Sequence, residues 1–301
     1  MHIDRRQLLA GAVALGGVVA LPRWLRAEDA PASTPRRTLV FLHLNGGNDG
    51  LNTVIPYADP LYPSLRPSLA IDKRQVRKLD AALGLHPALG GLETLWRRKR
   101  LGIVNGVGYP EPNYSHFRAT EIWYTAQPDR SPVDGWLGRA LDASPTDKPL
   151  RAVALGKEAP LSLTCASPGI VTMTDFSRFR LPKAMGKAAA TWEAYRILPG
   201  ARGDVGEAGT QAIRLADRIA KLKPAEGPFP GRLGAEMKKA LALLKADLEL
   251  EVLQISQGGY DTHAGQAASH NRLLSELGNN LRVWQEELEK AGLGEKVVTV
   301  V

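Results

Sequence analysis

Short apolar runs alternate along this chain with longer segments whose apolar residues recur every three or four positions. The short runs are rich in leucine and β-branched side chains and are bounded by glycine or polar residues, which is typical of strands buried on both faces of a sheet. Five runs predict strands in this way: residues 37–44, 101–104, 151–156, 253–257 and 296–301. We expect the last strand to lie next to the strand that ends at Gln257.

The longer segments have the spacing of amphipathic helices. Four helices are predicted, over residues 85–96, from Ser115 onward, over residues 237–252 and over residues 273–288. Because helices and strands alternate, the sequence predicts an α/β fold with a mainly parallel sheet and helices on both faces. Residues 173–235 interrupt this alternation with helical patches between prolines, and we interpret them as a cap or insertion over the sheet.

The composition restricts the classes of function. With 301 residues, 44% of them hydrophobic, the chain can bury one substantial core. Its net charge of +8 is modest, and no basic run is interleaved with aromatic residues, so we expect no nucleic-acid partner. A weakly basic surface suits a small anionic ester as substrate. Cys165 is the only cysteine, which excludes an intrachain disulfide.

The first residues have the features of an export signal. Arg5 and Arg6 precede an apolar run over residues 8–22, which is shorter than the ~20 residues needed to span a bilayer. The arginine pair is typical of signals read by the bacterial twin-arginine export machinery, although ordinary Sec signals also tolerate such pairs. We predict a twin-arginine signal peptide and short linker over residues 1–32, a periplasmic or secreted product and no stable membrane span.

Two glycine-rich loops that follow predicted strands carry candidate chemistry. Residues i and i+2 of an extended backbone point to the same side, so Asp261 and His263 can converge on one point. A carboxylate beside an imidazole suits a metal site or an acid/base pair, and the alternative is a solvated turn. Asp49 lies just past the first strand, where open α/β sheets bind ligands, or else forms an Asx-type turn with its own backbone.

Ser115 stands at the start of the second predicted helix. There it is either an N-cap that accepts a bond from a free backbone N–H or a nucleophile supported by the helix dipole. Asn48, His116 and His270 are candidates to contact the substrate or to support the metal ligands. We predict none of the histidines at positions 86, 116 and 270 as a direct metal ligand.

Five motifs, taken in order, resemble a known family. They are GGNDGLNTVIPY at 46–57, LGLHPAL at 83–89, SHFRATEIW at 115–123, DGWLGRAL at 134–141 and GGYDTH at 258–263. The set resembles the twin-arginine-exported family called domain of unknown function 1501. The order of Asp-Gly, Ser at a helix start and Asp-x-His is similar to that of the alkaline phosphatase and sulfatase superfamily.

The resemblance implies an alkaline-phosphatase-like three-layer sandwich over residues 33–301 and a metal-dependent hydrolase of phosphate or sulfate esters. It implies that Asp49, Asp261 and His263 hold a divalent metal, which is zinc, manganese or magnesium, and that Ser115 is the catalytic nucleophile. The alternative is a non-catalytic periplasmic binding or accessory protein with the same fold.

The end of the sequence departs from the family pattern. The resemblance implies that the chain continues, beyond a strand such as 296–301, into an aromatic–glycine loop and a Thr-Asp-His-Gly segment with further ligands. Here the sequence stops within that strand, as natural domains rarely do. We therefore expect the C-terminal part of the fold to be missing from these residues, which would leave the metal site incomplete.

Overall fold

Eight strands and seven helices account for most of the regular structure in the computed structural model, which describes residues 37–112, 114–129, 133–144, 146, 148–179, 190 and 201–301. The strands are β1 (Thr38–Asn45), β2 (Val54–Ile55), β3 (Arg77–Lys78), β4 (Gly84–Leu85), β5 (Ala152–Leu155), β6 (Ile170–Met173), β7 (Val252–Gly258) and β8 (Val297–Val300).

The helices are α1 (Leu61–Leu65), α2 (Gly90–Arg97), α3 (His116–Thr125), α4 (Trp136–Asp142), α5 (Ala201–Ala220), α6 (Gly231–Lys245) and α7 (Gln266–Lys290). Short 3-10 turns lie at Gly50–Asn52, Leu161–Leu163 and Phe176–Phe179. These elements all belong to the unit Arg37–Val301.

The main sheet has five parallel strands in the order β6-β5-β7-β1-β8. Along the β1–β7 pair, Leu39 lies opposite Val252 and Asn45 lies opposite Gly258. Parallel strands end at the same edge of a sheet, so the loops that follow β1 and β7 emerge side by side. A small antiparallel sheet, β2-β4-β3, lies within the segment that follows β1.

Side chains alternate between the two faces of the main sheet. On one face Val40 and Leu42 of β1 belong to the large core with the apolar residues of α2, α6 and α7. On the other face Leu39 and Phe41 pack with the apolar residues of α4 and of Leu161–Leu163. Helices therefore cover both faces of a parallel sheet, as in a three-layer α/β sandwich, and the predicted fold class is confirmed.

Two of the strand predictions are wrong. Residues 101–104 form no strand, because Leu101 and Ile103 pack against the core without pairing to the sheet while Val104 is 81% exposed. The final strand, β8, pairs with β1 and not with β7. Both edges of β7 are already occupied, by β5 and β1, so the edge that remains for β8 is the far side of β1.

Some predictions fall partly or wholly outside the described residues. The predicted signal peptide, residues 1–32, is outside them, and so are residues 180–189 and 191–200 of the predicted cap. The described part of the cap includes α5, whose Ile219 is fully buried in the large core. Among the described residues no helix is both long and apolar enough to cross a membrane.

Candidate metal centre

The loops that follow β1 and β7 are in direct contact. Gly46 has a φ of +109°, and a Cβ at this position would lie 2.5 Å from the backbone nitrogen of Asp261. Gly47, with a φ of +82°, leaves room for the imidazole of His116, since a Cβ there would lie 3.3 Å from the ring. The double glycine thus permits both a left-handed backbone and the close approach of two other segments.

Three exposed side chains converge where these loops meet the start of α3. The Nε2 atom of His116 lies 3.2 Å from Oδ1 of Asp261, and Nε2 of His263 lies 2.8 Å from the same oxygen. One ligand atom from each of the three residues lies within 4.8 Å of the others. The two imidazole rings are inclined at 74° with centroids 6.4 Å apart. The start of α3 and the loop after β7, two segments that are distant in sequence, therefore supply one cluster, which we call the HDH cluster.

The HDH cluster fits a divalent cation by its donors and by its dimensions. Two imidazole nitrogens and a carboxylate oxygen are a donor set typical of zinc, and also of other first-row metals. Around tetrahedral zinc, bonds of about 2.0–2.1 Å place neighbouring ligand atoms about 3.3 Å apart, compared with 3.2 and 2.8 Å at Asp261 and at most 4.8 Å across the cluster. The side chains of His116, Asp261 and His263 are 53%, 46% and 82% exposed. Substrate could therefore reach a cation held there from the solvent.

Asp49 lies beside this region but its carboxylate is engaged by other groups. Its Oδ1 accepts a hydrogen bond from the backbone nitrogen of Asn52 at 3.1 Å, as in the predicted turn. Its Oδ2 accepts from Gln266 Nε2 at 2.5 Å and forms an ion pair with Arg66. The structure brings Asp261 and His263 together with His116, and it places Asp49 in an ion pair.

Ser115 is the N-cap of α3 and directly precedes His116. Its Oγ accepts a long hydrogen bond, 3.5 Å, from the backbone nitrogen of Arg118. The cap role that we considered from sequence is therefore present. The hydroxyl also stands at the helix end that presents free N–H groups, next to a residue of the HDH cluster.

Two side-chain hydrogen bonds fasten the β1 loop to α7. Asn48 Oδ1 lies 2.9 Å from His270 Nε2, one helical turn beyond the Gln266–Asp49 bond. Because α7 directly follows the loop that carries Asp261 and His263, these bonds fix the distance between the two loops. Asn48 and His270 thus link the β1 loop to α7.

A family described as "Protein of unknown function (DUF1501)" matches residues 86–301. The chain belongs to this family. The matched residues include all three members of the HDH cluster and Ser115, whereas Asp49 lies before them. Comparison with curated proteins finds no match, and comparison with solved structures finds none either.

The DUF1501 chain also buries two further histidines. His86 and His270 are 5% and 4% exposed, and their ring centroids lie 5.8 Å apart. Burial, and then the nearby His270, lower the pKa of His86 to about 4, although Asp49 opposes the shift. Burial also lowers the pKa of His270. Both rings are therefore neutral near pH 7, and the backbone nitrogen of Ala88 donates to Nδ1 of His86 at 3.1 Å.

Sequence reasoning did not place His116 of this DUF1501 chain beside Asp261 and His263. A histidine at a helix start carries no local signal of metal binding, since most such residues are simply exposed. The signal that could have found it is the pair Gly46-Gly47, because consecutive left-handed glycines at a strand end indicate that another segment approaches closely.

Proposed function

We propose that this chain is an exported, metal-dependent hydrolase of phosphate or sulfate esters, with its metal held by His116, Asp261 and His263. The observation that carries the proposal is the convergence of their three ligand atoms within 4.8 Å at the carboxyl edge of the parallel sheet. Three protein ligands with an open side toward solvent is the usual composition of a catalytic zinc site, whereas structural sites are closed. Two imidazoles favour zinc over magnesium, which prefers oxygen ligands.

The reaction would transfer the phosphoryl or sulfuryl group from the ester oxygen to the oxygen of water. A bound divalent cation supplies charge stabilisation at the ester oxygens and lowers the pKa of the nucleophile. Ser115 would attack the group or orient the attacking water. The free N–H groups at the start of α3 would donate hydrogen bonds to the oxygens of the anionic ester. The net charge of +8 supports an anionic substrate.

The placement of the chain within the alkaline phosphatase and sulfatase superfamily is part of the same proposal. It is supported by the parallel three-layer architecture and by the order of Ser115 and the Asp261–His263 pair along the chain. Export by the twin-arginine machinery to the periplasm or beyond is supported by Arg5 and Arg6 ahead of the apolar run at 8–22.

Zinc titration combined with an esterase assay tests the proposal. We expect calorimetry of the metal-stripped protein at pH 8 to detect one zinc-binding site. We expect turnover of an aryl phosphate or aryl sulfate that falls to background in the His263→Ala variant. Absence of zinc binding would reject the metal centre and would leave the two His–Asp contacts as simple hydrogen bonds. Zinc binding without turnover of either ester would favour the binding or accessory protein.

A further inference from the structure

A cavity of about 460 Å³ lies between α3 and the carboxyl ends of β1, β5 and β7. Phe117, Thr120 and Tyr124 line it from α3. They lie three or four residues apart and so share one face of that helix. Gln254 and Ser256 of β7 line it from the sheet. The volume is within the range of small-molecule binding sites.

The cavity adjoins the cluster on two separate segments. Phe117 directly follows His116 along α3. Asn45, which also lines the cavity, accepts a hydrogen bond from the backbone nitrogen of Tyr260 at 3.3 Å, and Tyr260 directly precedes Asp261. An ester whose anionic group sits at the cluster would therefore have this cavity within reach of its remaining part.

The walls of the cavity are held in fixed orientations. The Tyr124 hydroxyl lies within hydrogen-bonding distance of His43 Nδ1, at 2.8 Å, and burial raises the pKa of Tyr124 to about 12. On the sheet side, the buried Ser162 hydroxyl donates to Oε1 of Gln254 at 2.6 Å, which orients the amide of Gln254. An aromatic wall and an oriented amide are features that select a ligand by shape and by one hydrogen bond.

Positive and negative side chains around the cavity are equal in number. Lys157 and Glu158 stand together on one wall and have opposite charges. Glu121 also lines the cavity, and its carboxylate is paired with the Arg118 guanidinium at 2.9 Å. A second anionic group would gain no net attraction here, whereas a neutral ring can pack on the aromatic side chains of Phe117 and Tyr124.

We propose that this cavity binds the alcohol part of the ester, and that the preferred alcohol is neutral and aromatic. The inference rests on the proposed hydrolase function, because it assigns the leaving group of that reaction to a second pocket. It predicts a preference for aryl monoesters over esters of small aliphatic alcohols and over esters with additional phosphate groups.

The experiment measures alcohol binding separately from metal chemistry. The probe is 4-methylumbelliferone, a neutral aromatic alcohol at pH 6, whose fluorescence is followed as the 301-residue protein is added. Thr120→Trp, which fills the cavity from α3, should weaken binding at least about tenfold. Thr94→Trp is the matched control, since Thr94 is exposed on α2, on the other face of the sheet, and it should leave the affinity unchanged.

Ala159→Trp gives a second test from the opposite wall, because Ala159 is exposed and lines the cavity. Circular dichroism and thermal melting establish that each variant is folded. With 4-methylumbelliferyl phosphate as substrate, both variants should raise KM at least about tenfold with little change in kcat. Failure of the wild-type protein to bind the alcohol, or equal binding by every folded variant, would overturn the inference.

A parallel zinc titration separates this inference from the proposed function. Alcohol binding that is lost in the two cavity variants, together with absent zinc binding, would support the cavity and reject the metal centre. Zinc binding with no alcohol binding would support the metal centre and reject the cavity as an alcohol site.

Discussion

The imidazole Nε2 of His116 lies 3.2 Å from the carboxylate Oδ1 of Asp261, although His116 begins α3 and Asp261 follows β7. The predicted ligands were Asp49, Asp261 and His263. In the structure His116 lies beside Asp261, and Asp49 forms an ion pair with Arg66. The difference leads to a direct test of which residues bind metal.

His116→Ala should reduce zinc affinity by about 100-fold, because the variant removes one of the three protein ligands that a catalytic zinc site has. Asp49→Asn, which keeps an acceptor for the backbone nitrogen of Asn52, should change the affinity by less than about threefold. Isothermal titration of both variants provides the measurement. Loss of zinc binding in Asp49→Asn with retention in His116→Ala would instead support the ligand set Asp49, Asp261 and His263.

Gly46→Ala should destabilise the protein and weaken the metal site together. Its φ of +109° is unfavourable for alanine, and the new Cβ would lie 2.5 Å from the backbone of Asp261. We expect a loss of about 1–3 kcal/mol in the free energy of unfolding, measured by urea denaturation. Gly50→Ala is the matched control, because a Cβ at that position would have no heavy atom within 4 Å. Equal stability of the two variants would contradict the close approach of the loops.

The buried His86 should make the protein less stable as the pH falls from 6.5 to 4. Its pKa is lowered from 6.5 to about 4 in the folded state, so over this interval the unfolded chain binds a proton that the folded protein does not. The free energy of unfolding should therefore fall by about 3 kcal/mol from this group alone. The lowered pKa of His270 acts in the same direction.

Carboxylates also titrate in this range, so the measurement is the difference between the wild-type protein and His86→Asn. Asparagine keeps an acceptor for the backbone nitrogen of Ala88 but does not titrate. Urea denaturation at several pH values should show a shallower decline for the variant. Parallel curves would mean that the His86 ring is already accessible to protons in the folded state.

Replacing Arg5 and Arg6 together by lysine should stop export if the twin-arginine machinery recognises the pair. The Sec pathway needs only positive charge, so it would accept the same change. Cell fractionation of the tagged protein in a bacterial host measures the outcome. A single Arg37→Lys change, just past the predicted signal, serves as the control, and unchanged export of the double variant would identify a different pathway.

The sequence predicted well those elements that a local pattern of residues defines. The apolar run before Asn45-Gly46 predicted β1, and the spacing of Ala119 and Ile122 predicted α3 with Ser115 as its cap. Residues 101–104 have the same apolar character as a strand, yet Val104 is exposed. Whether such a run joins a sheet depends on which strand edges are left open, and no local pattern contains that information.

The grouping of side chains around Asp261 was predicted only in part, because one of them depends on contacts that no local pattern contains. Asp261 and His263 lie two residues apart, so an extended backbone brings them together without help from the rest of the fold. His116 joins them only because β1 lies beside β7 and because α3 crosses the edge where both strands end. That arrangement depends on strand order, and strand order was also the point at which the predicted neighbour of β8 was wrong.

The position of β1 between β7 and β8 has a consequence for the order of events during synthesis. Its sheet partners, β7 and β8, are the last two strands that the structure describes, with Leu39 opposite both Val252 and Val298. A ribosome adding about 5–20 residues per second needs roughly 10–40 s to reach β7 after completing β1. During that time an apolar strand has neither neighbour, and closing so long a loop is slow. The nascent chain should therefore depend on chaperones, and refolding from denaturant should be slow and favoured by dilution.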